Sequence, residues 1–237
     1  MELNKYIEHT NLDRSATKED IKKLCEEAKT YHFEAVCVHP FYVAFAKQLL
    51  QDTHVGITTV IGFPLGMNTM EVKEYEAIDA INHGADEIDM VINRGCLKNK
   101  DYDFIKKEIE TIRDAIDGHP LKVMIEECNL EEDEISKLIE ICNETFVNFI
   151  CIATGSEESG ETSETIALIN KYKGEILEIK VSGEIQTEEQ AIKMIEAGAT
   201  RVETSHGVEM ITGKKCCSEK GDCNDCTCHE ENIHECL

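Results

Sequence analysis

EIKVSGEIQTEEQAIKMIEAGATRVETSHG, residues 178–207, sets two short β-rich segments, EIKVSG and RVETSH, on either side of a stretch with helical spacing. Thr187 precedes that stretch and Gln190 follows three residues on, a pairing that satisfies the orphan amide donors of a helix start. A strand, a helical crossover and a second strand make parallel neighbours in one sheet.

The same unit recurs towards the N-terminus. KYIEHT (5–10), AVCVH (35–39), GITTVIGFP (56–64), EIDMVIN (87–93), LKVMIEE (121–127) and NFICIAT (148–154) are further strand segments. Helical patterns run between them, for example Thr17 to Tyr31, Thr69 to His83, Asp101 to Asp117 and Glu131 to Thr145. The strand segments are nearly continuous in apolar character, as expected when both faces of a parallel sheet are covered. Eight such strands, each followed by one crossover, predict an α/β fold, a single (β/α)₈ TIM barrel. An open doubly wound sheet is the alternative, but no G-x-G-x-x-G opens any helix, and Gly62 to Gly66 reads as a turn.

The pattern stops after Val208, so the barrel domain is expected to span residues 1–212 and a short acidic, Cys/His-rich tail residues 213–237. The length of 237 residues, 41% hydrophobic and 30% charged with 3 prolines, suits one globular barrel. No run approaches the ~18 uncharged apolar residues of a membrane span. The opening MELNKYIEHTNLD has neither a basic leader nor an apolar stretch, which predicts a cytoplasmic protein. A formal charge of −24 argues against nucleic acid and anionic membranes as partners.

Seven blocks, IEHTNLDRSATKEDI, AVCVHPFYV, TVIGFPLGMNTMEVKEYEA, GADEIDMVIN, LKVMIEE, IKVSGEIQTEEQA and AGATRVETSHGV, together with TGSEESG, follow one another in an order that resembles deoxyribose-phosphate aldolase. The resemblance covers roughly residues 5 to 210. It implies a barrel with no cofactor requirement and a small-molecule ligand in the barrel mouth, and it makes a homodimer plausible. The implied reaction splits 2-deoxyribose 5-phosphate into acetaldehyde and glyceraldehyde 3-phosphate through an imine on a lysine. On the matching blocks, Asp89 is the proton-transfer aspartate, Lys180 the second, pKa-lowering lysine, and Lys122 another lysine of the site.

Two departures stand beside these matches. Where the family carries its imine-forming lysine in a segment like F-V-K-T-S-T-G, this chain reads Phe149-Ile150-Cys151-Ile152-Ala153-Thr154-Gly155. A thiol adduct lacks the electron-withdrawing C=N⁺ that makes C–C cleavage easy. In the phosphate pocket, SGEIQ stands for S-G-G-I-R and ETSHG for G-T-S-S-G. Gly183, Ser205 and Gly207 remain, while Glu184, Glu203 and His206 are new. Two carboxylates beside a phosphate dianion repel it by about 1–4 kcal/mol per pair at ~4 Å.

The departures together predict a barrel that lacks standard Schiff-base activity, a pseudoenzyme whose Asp89 and Lys180 persist as an ion pair and whose mouth takes a cationic or neutral polyol ligand. Two alternatives stand beside it: a working lyase with Lys180 or Lys122 as the amine, and a metal-responsive binding protein. The third rests on the tail. Cys216, Cys217, Cys223, Cys226, Cys228 and His229 crowd together there, and soft thiolates suit zinc or another thiophilic metal as cofactor.

Overall fold

The computed structural model describes residues 1–126, 130–153, 160–183 and 185–213. Eight strands are β1 (Ile7–Asn11), β2 (Ala35–Val38), β3 (Gly56–Ile61), β4 (Glu87–Val91), β5 (Leu121–Glu126), β6 (Phe149–Ala153), β7 (Glu178–Ser182) and β8 (Arg201–Thr204). Each pairs in parallel with the next, and β8 returns to β1, closing the barrel. The TIM barrel expected from the sequence is the observed fold, with an α-helix in every crossover.

The helices begin where side chains can serve their free amides. Thr17 and Asp20 form a reciprocal capping box at the helix Lys18–Tyr31, and Thr187 and Gln190 another at Glu188–Ala197. Asp101 accepts from the Phe104 amide at 3.2 Å ahead of the helix Tyr102–Ala115. Thr69 heads the helix Met70–Asn82 without a side-chain cap bond.

Strand residues alternate between two faces. One set, including Ile7, Val36, Ile57, Ile88, Val123, Ile150, Ile179 and Val202, packs outward against helix residues such as Ile21, Ile109, Leu138 and Ile166 in one continuous apolar layer. The inward set differs in kind. Val91, Met124 and Cys151 form a small separate apolar cluster there, and beside it the interior carries buried charged side chains. No helix among the described residues is long and apolar enough to cross a membrane. The tail residues read above as metal ligands, Cys216 to His229, lie outside the described residues, as do Glu184, Glu127 and Cys128.

Candidate active site in the barrel interior

Among the described residues, seven acidic and basic side chains meet inside the barrel, and strand periodicity puts them there. Glu87 and Asp89 are two apart on β4, and Arg201 and Glu203 two apart on β8, so both members of each pair face the same way. Glu8 comes from β1, Lys122 from β5 and Lys180 from β7.

Lys122 Nζ lies 2.7 Å from Glu8 Oε2, 2.7 Å from Glu87 Oε2, 3.3 Å from Asp89 Oδ1 and 3.0 Å from Thr58 Oγ1. Lys180 Nζ lies 2.5 Å from Asp89 Oδ2 and 2.6 Å from Glu203 Oε2, and it also donates to Glu8. Arg201 Nη1 reaches Glu8 Oε2 and Glu87 Oε2, each at 3.2 Å, with its guanidinium over the Phe149 ring. Glu8 is the hub, since all three cations touch it.

Burial opposes charge on every one of these groups, and the neighbours decide the outcome. Burial alone would raise the Glu8 pKa, but Lys122, Lys180 and Arg201 outweigh it and hold the carboxyl well below the usual range. Burial would lower Lys180, yet Asp89, Glu203 and Glu8 overcome it and hold the ammonium well above an ordinary lysine. Lys122 is raised in the same way, by Asp89, Glu8 and Glu87 against burial. Glu203 goes the other way: burial outweighs Lys180 and lifts its carboxyl above the ordinary value.

Glu8, Cys37, Asp89 and Glu203 place ligand atoms within 4.8 Å of one another. The three carboxylates already enclose the Lys180 ammonium, so the cation at this place is the protein's own.

Cys151 is the register partner of Lys180 across β6 and β7. It is fully buried, burial pushes its thiol pKa far up, and Sγ sits 3.7 Å from Ser182 Oγ beside Val91 and Met124. Along the strands, Val91, Met124, Cys151 and Lys180 form one register row, while Asp89, Lys122 and Phe149 form the row below. Both lysines reach Glu8 and Asp89, and because register rows are inclined to the axis of a closed barrel, Lys122 and Lys180 stand at one level of the interior.

Gly183 follows β7 with φ of +122°, a conformation that favours glycine. Ser205 and His206 follow β8, where Ser205 is exposed and its Oγ is 3.2 Å from His206 Nδ1. Gly207 is held by close packing: a Cβ there would meet Phe33 at 3.0 Å and Ile7 at 3.1 Å. His9 and His39 are bound within the scaffold, His9 to Glu27 at 2.9 Å and His39 to the Leu12 carbonyl at 3.0 Å.

The family model described as DeoC/LacD family aldolase matches residues 4–149. A deoxyribose-phosphate aldolase of Enterococcus faecalis is 45% identical over 214 residues, covering 90% of this chain and 97% of the relative. One from Thermococcus gammatolerans is 47% identical over 219 residues, covering 91% and 97%. The chain belongs to the DeoC/LacD aldolase family. Among solved structures, the aldolase QR15 superposes with a TM-score of 0.82 at 36% identity, over 88% of this chain and 93% of that one.

Family membership at this level overturns the expectation of a barrel without standard Schiff-base activity that binds an altered ligand. Relatives identical at almost every second position over about nine-tenths of this chain are deoxyribose-phosphate aldolases. The geometry shows where the expectation went astray. It took Cys151 as the loss of the imine-forming amine and gave Lys180 and Lys122 that role only in its alternative, yet both stand beside Asp89 in the interior. It also placed Glu203 against the substrate phosphate, whereas Glu203 is 5% exposed and turned inward onto Lys180.

Glu87 and Arg201 were missed from the sequence. Their signal was present as charges spaced by two within strands that otherwise read as buried.

Proposed function

We propose that this chain cleaves 2-deoxyribose 5-phosphate to acetaldehyde and glyceraldehyde 3-phosphate, with Lys180 as the imine-forming amine and Cys151 at the position where the family carries that lysine. The observation that carries this reading is the register pairing of Cys151 with Lys180. It offers an amine on the adjacent strand, in the same row, 2.5 Å from Asp89. Identity to deoxyribose-phosphate aldolases across nine-tenths of the chain supports the same substrate and products.

An imine on Lys180 puts a C=N⁺ next to the carbon chain of the sugar, where it accepts the electron pair released by C–C cleavage. Asp89 is the group to move protons to and from that chain. Its Oδ2 accepts from Lys180, and its Oδ1 makes no hydrogen bond and lies 3.3 Å from Lys122 Nζ. Gly183, Ser205, His206 and Gly207 are the residues at the strand ends assigned to the phosphate, with Glu184 beside them in sequence. Lys122, held by Glu8, Glu87, Asp89 and Thr58, is assigned to the charge balance of the site. The barrel is assigned to residues 1–212, with a homodimer as its assembly.

The test is borohydride trapping with acetaldehyde followed by mass mapping, alongside a cleavage assay with 2-deoxyribose 5-phosphate. A stable two-carbon adduct on Lys180 and product formation are the expected results. An adduct on Lys122 instead would move the amine to β5. Absence of adduct from both lysines, with no cleavage, would overturn the proposal.

A further inference from the structure

Three carboxylates surround the Lys180 ammonium, and they are not equivalent. Glu8 is shared with Lys122 and Arg201, and Asp89 is shared with Lys122. Glu203 is in ion-pair reach of Lys180 alone among the described residues, with Oε2 2.6 Å from Nζ. Glu203 is also the register partner of Glu8, so two carboxylates stand side by side on adjacent strands, with Asp89 and Cys37 facing them. Among the described residues the interior holds four carboxylates, Glu8, Glu87, Asp89 and Glu203, against three cations, Lys122, Lys180 and Arg201. Of the four, Glu203 has the fewest cationic partners, and a proton placed on it relieves like-charge repulsion against Glu8.

Resting on the reading of Lys180 as the amine, we infer that Glu203 is the base that takes the proton from the Lys180 ammonium and returns it when the imine forms. Transfer from Nζ to Oε2 converts a buried ion pair into a neutral amine and a neutral acid, a change that burial favours for both partners. The elevated pKa of Glu203 agrees with this assignment. The freed Nζ lone pair forms the N–C bond to the aldehyde, and a proton shift from nitrogen to oxygen gives the carbinolamine. Glu203 then protonates the hydroxyl, which leaves as water while the nitrogen lone pair closes the C=N bond. The sum is ammonium plus aldehyde giving iminium plus water, with Glu203 ionised at both ends and no change of oxidation state. Asp89 is left to the substrate protons.

A counter-ion and a base give opposite signs in Glu203→Gln, which makes the inference testable. A carboxylate that only stabilises the ammonium holds the amine back, so its removal would speed imine formation at neutral pH. A carboxylate that accepts the proton is needed for the step, so its removal slows trapping by about 10²-fold. The experiment is the initial rate of borohydride trapping with acetaldehyde from pH 6 to pH 9, mapped to Lys180, in the unaltered chain and in the folded variant. Slower trapping throughout supports the inference, and equal or faster trapping overturns it. Should Glu203→Gln fail to fold, Glu203→Asp withdraws the carboxylate from Nζ by one carbon. A reduced rate there supports the inference, and an undiminished rate overturns it. If the unaltered chain forms no adduct on Lys180, the imine reading itself fails and the inference falls with it. If it does form the adduct, an unimpaired Glu203→Gln removes only the role of Glu203.

Discussion

The two faces of one eight-stranded sheet solve opposite problems. The outer face meets the helices through Ile, Val and Leu, an apolar layer that gains stability in proportion to the area removed from water. The inner face buries Glu8, Asp89, Lys122 and Lys180 completely, where desolvation offsets most of what the ion pairs return. A barrel built only to be stable would fill its interior with branched apolar side chains. Retention of a charged interior, with amines beside carboxylates, is what a site for imine chemistry requires. The difference teaches that stability in this molecule lies outside the sheet and chemistry inside it.

The most severe break in that division is Lys180→Met. On the proposed mechanism it removes the electron sink, and cleavage of 2-deoxyribose 5-phosphate should fall by about 10³–10⁴-fold, towards what binding and the remaining groups supply. It also leaves Glu8, Asp89 and Glu203 facing one another, so stability should drop by about 3–5 kcal/mol in denaturant titration. Full activity in this variant would transfer the amine to Lys122.

The opposite case lies in the outer layer. Leu138 is fully buried between its helix and the sheet, and Leu138→Ala should cost about 2–5 kcal/mol by the same titration. Its kcat per folded molecule should stay that of the unaltered chain. A large fall in kcat without a fall in stability would show that the layers are not separable.

The two faces were not equally legible in the sequence. Continuous apolar runs such as Val36–Val38 and Ile150–Ile152, with capping pairs at Thr17 and Thr187, announced the barrel because local chemistry alone demands those elements. Asp89, Lys122 and Lys180 stood out through family resemblance. Their partners did not, because the meeting of Glu8 with Lys122, 114 positions away, depends on barrel closure. Glu203 was visible but assigned to the wrong ligand. An i, i+2 charge pattern says that a side chain faces inward and leaves open whether it looks up at substrate or across at a lysine.

Stability against pH sharpens the comparison further. Glu8 and Glu87 have folded-state pKa values below the ordinary glutamate value. Their contribution is complete above about pH 4.3 and lost as pH falls further. Glu203 has a raised folded value, so its contribution is present below that pH and lost as pH rises through the raised value. The Tm should therefore pass through a maximum just above the ordinary carboxylate range. Glu203→Gln should flatten the neutral limb and keep the acid one. An unchanged neutral limb in that variant would mean that Glu203 is not the protonatable member of the cluster.

The finest comparison uses two adjacent threonines of β3, both fully buried and pointing to opposite faces. Thr58 accepts from Lys122 at 3.0 Å and donates to Glu87 at 3.0 Å, inside the barrel. Thr59 donates to the Val38 carbonyl at 2.7 Å. Valine matches threonine in shape, so each Thr→Val change removes hydroxyl chemistry with little change in volume. Hydrogen bonds to charged groups contribute about 1.5–3 kcal/mol and neutral ones about 1 kcal/mol. Thr58→Val should thus destabilise more than Thr59→Val, although Lys122 keeps three carboxylate partners. Added salt should leave the gap unchanged, since charges buried this deeply are screened far less than surface ones. Equal losses in paired chemical denaturation would mean that the interior ions are solvated well enough to behave like surface charges, and the contrast between the faces would then be one of composition alone.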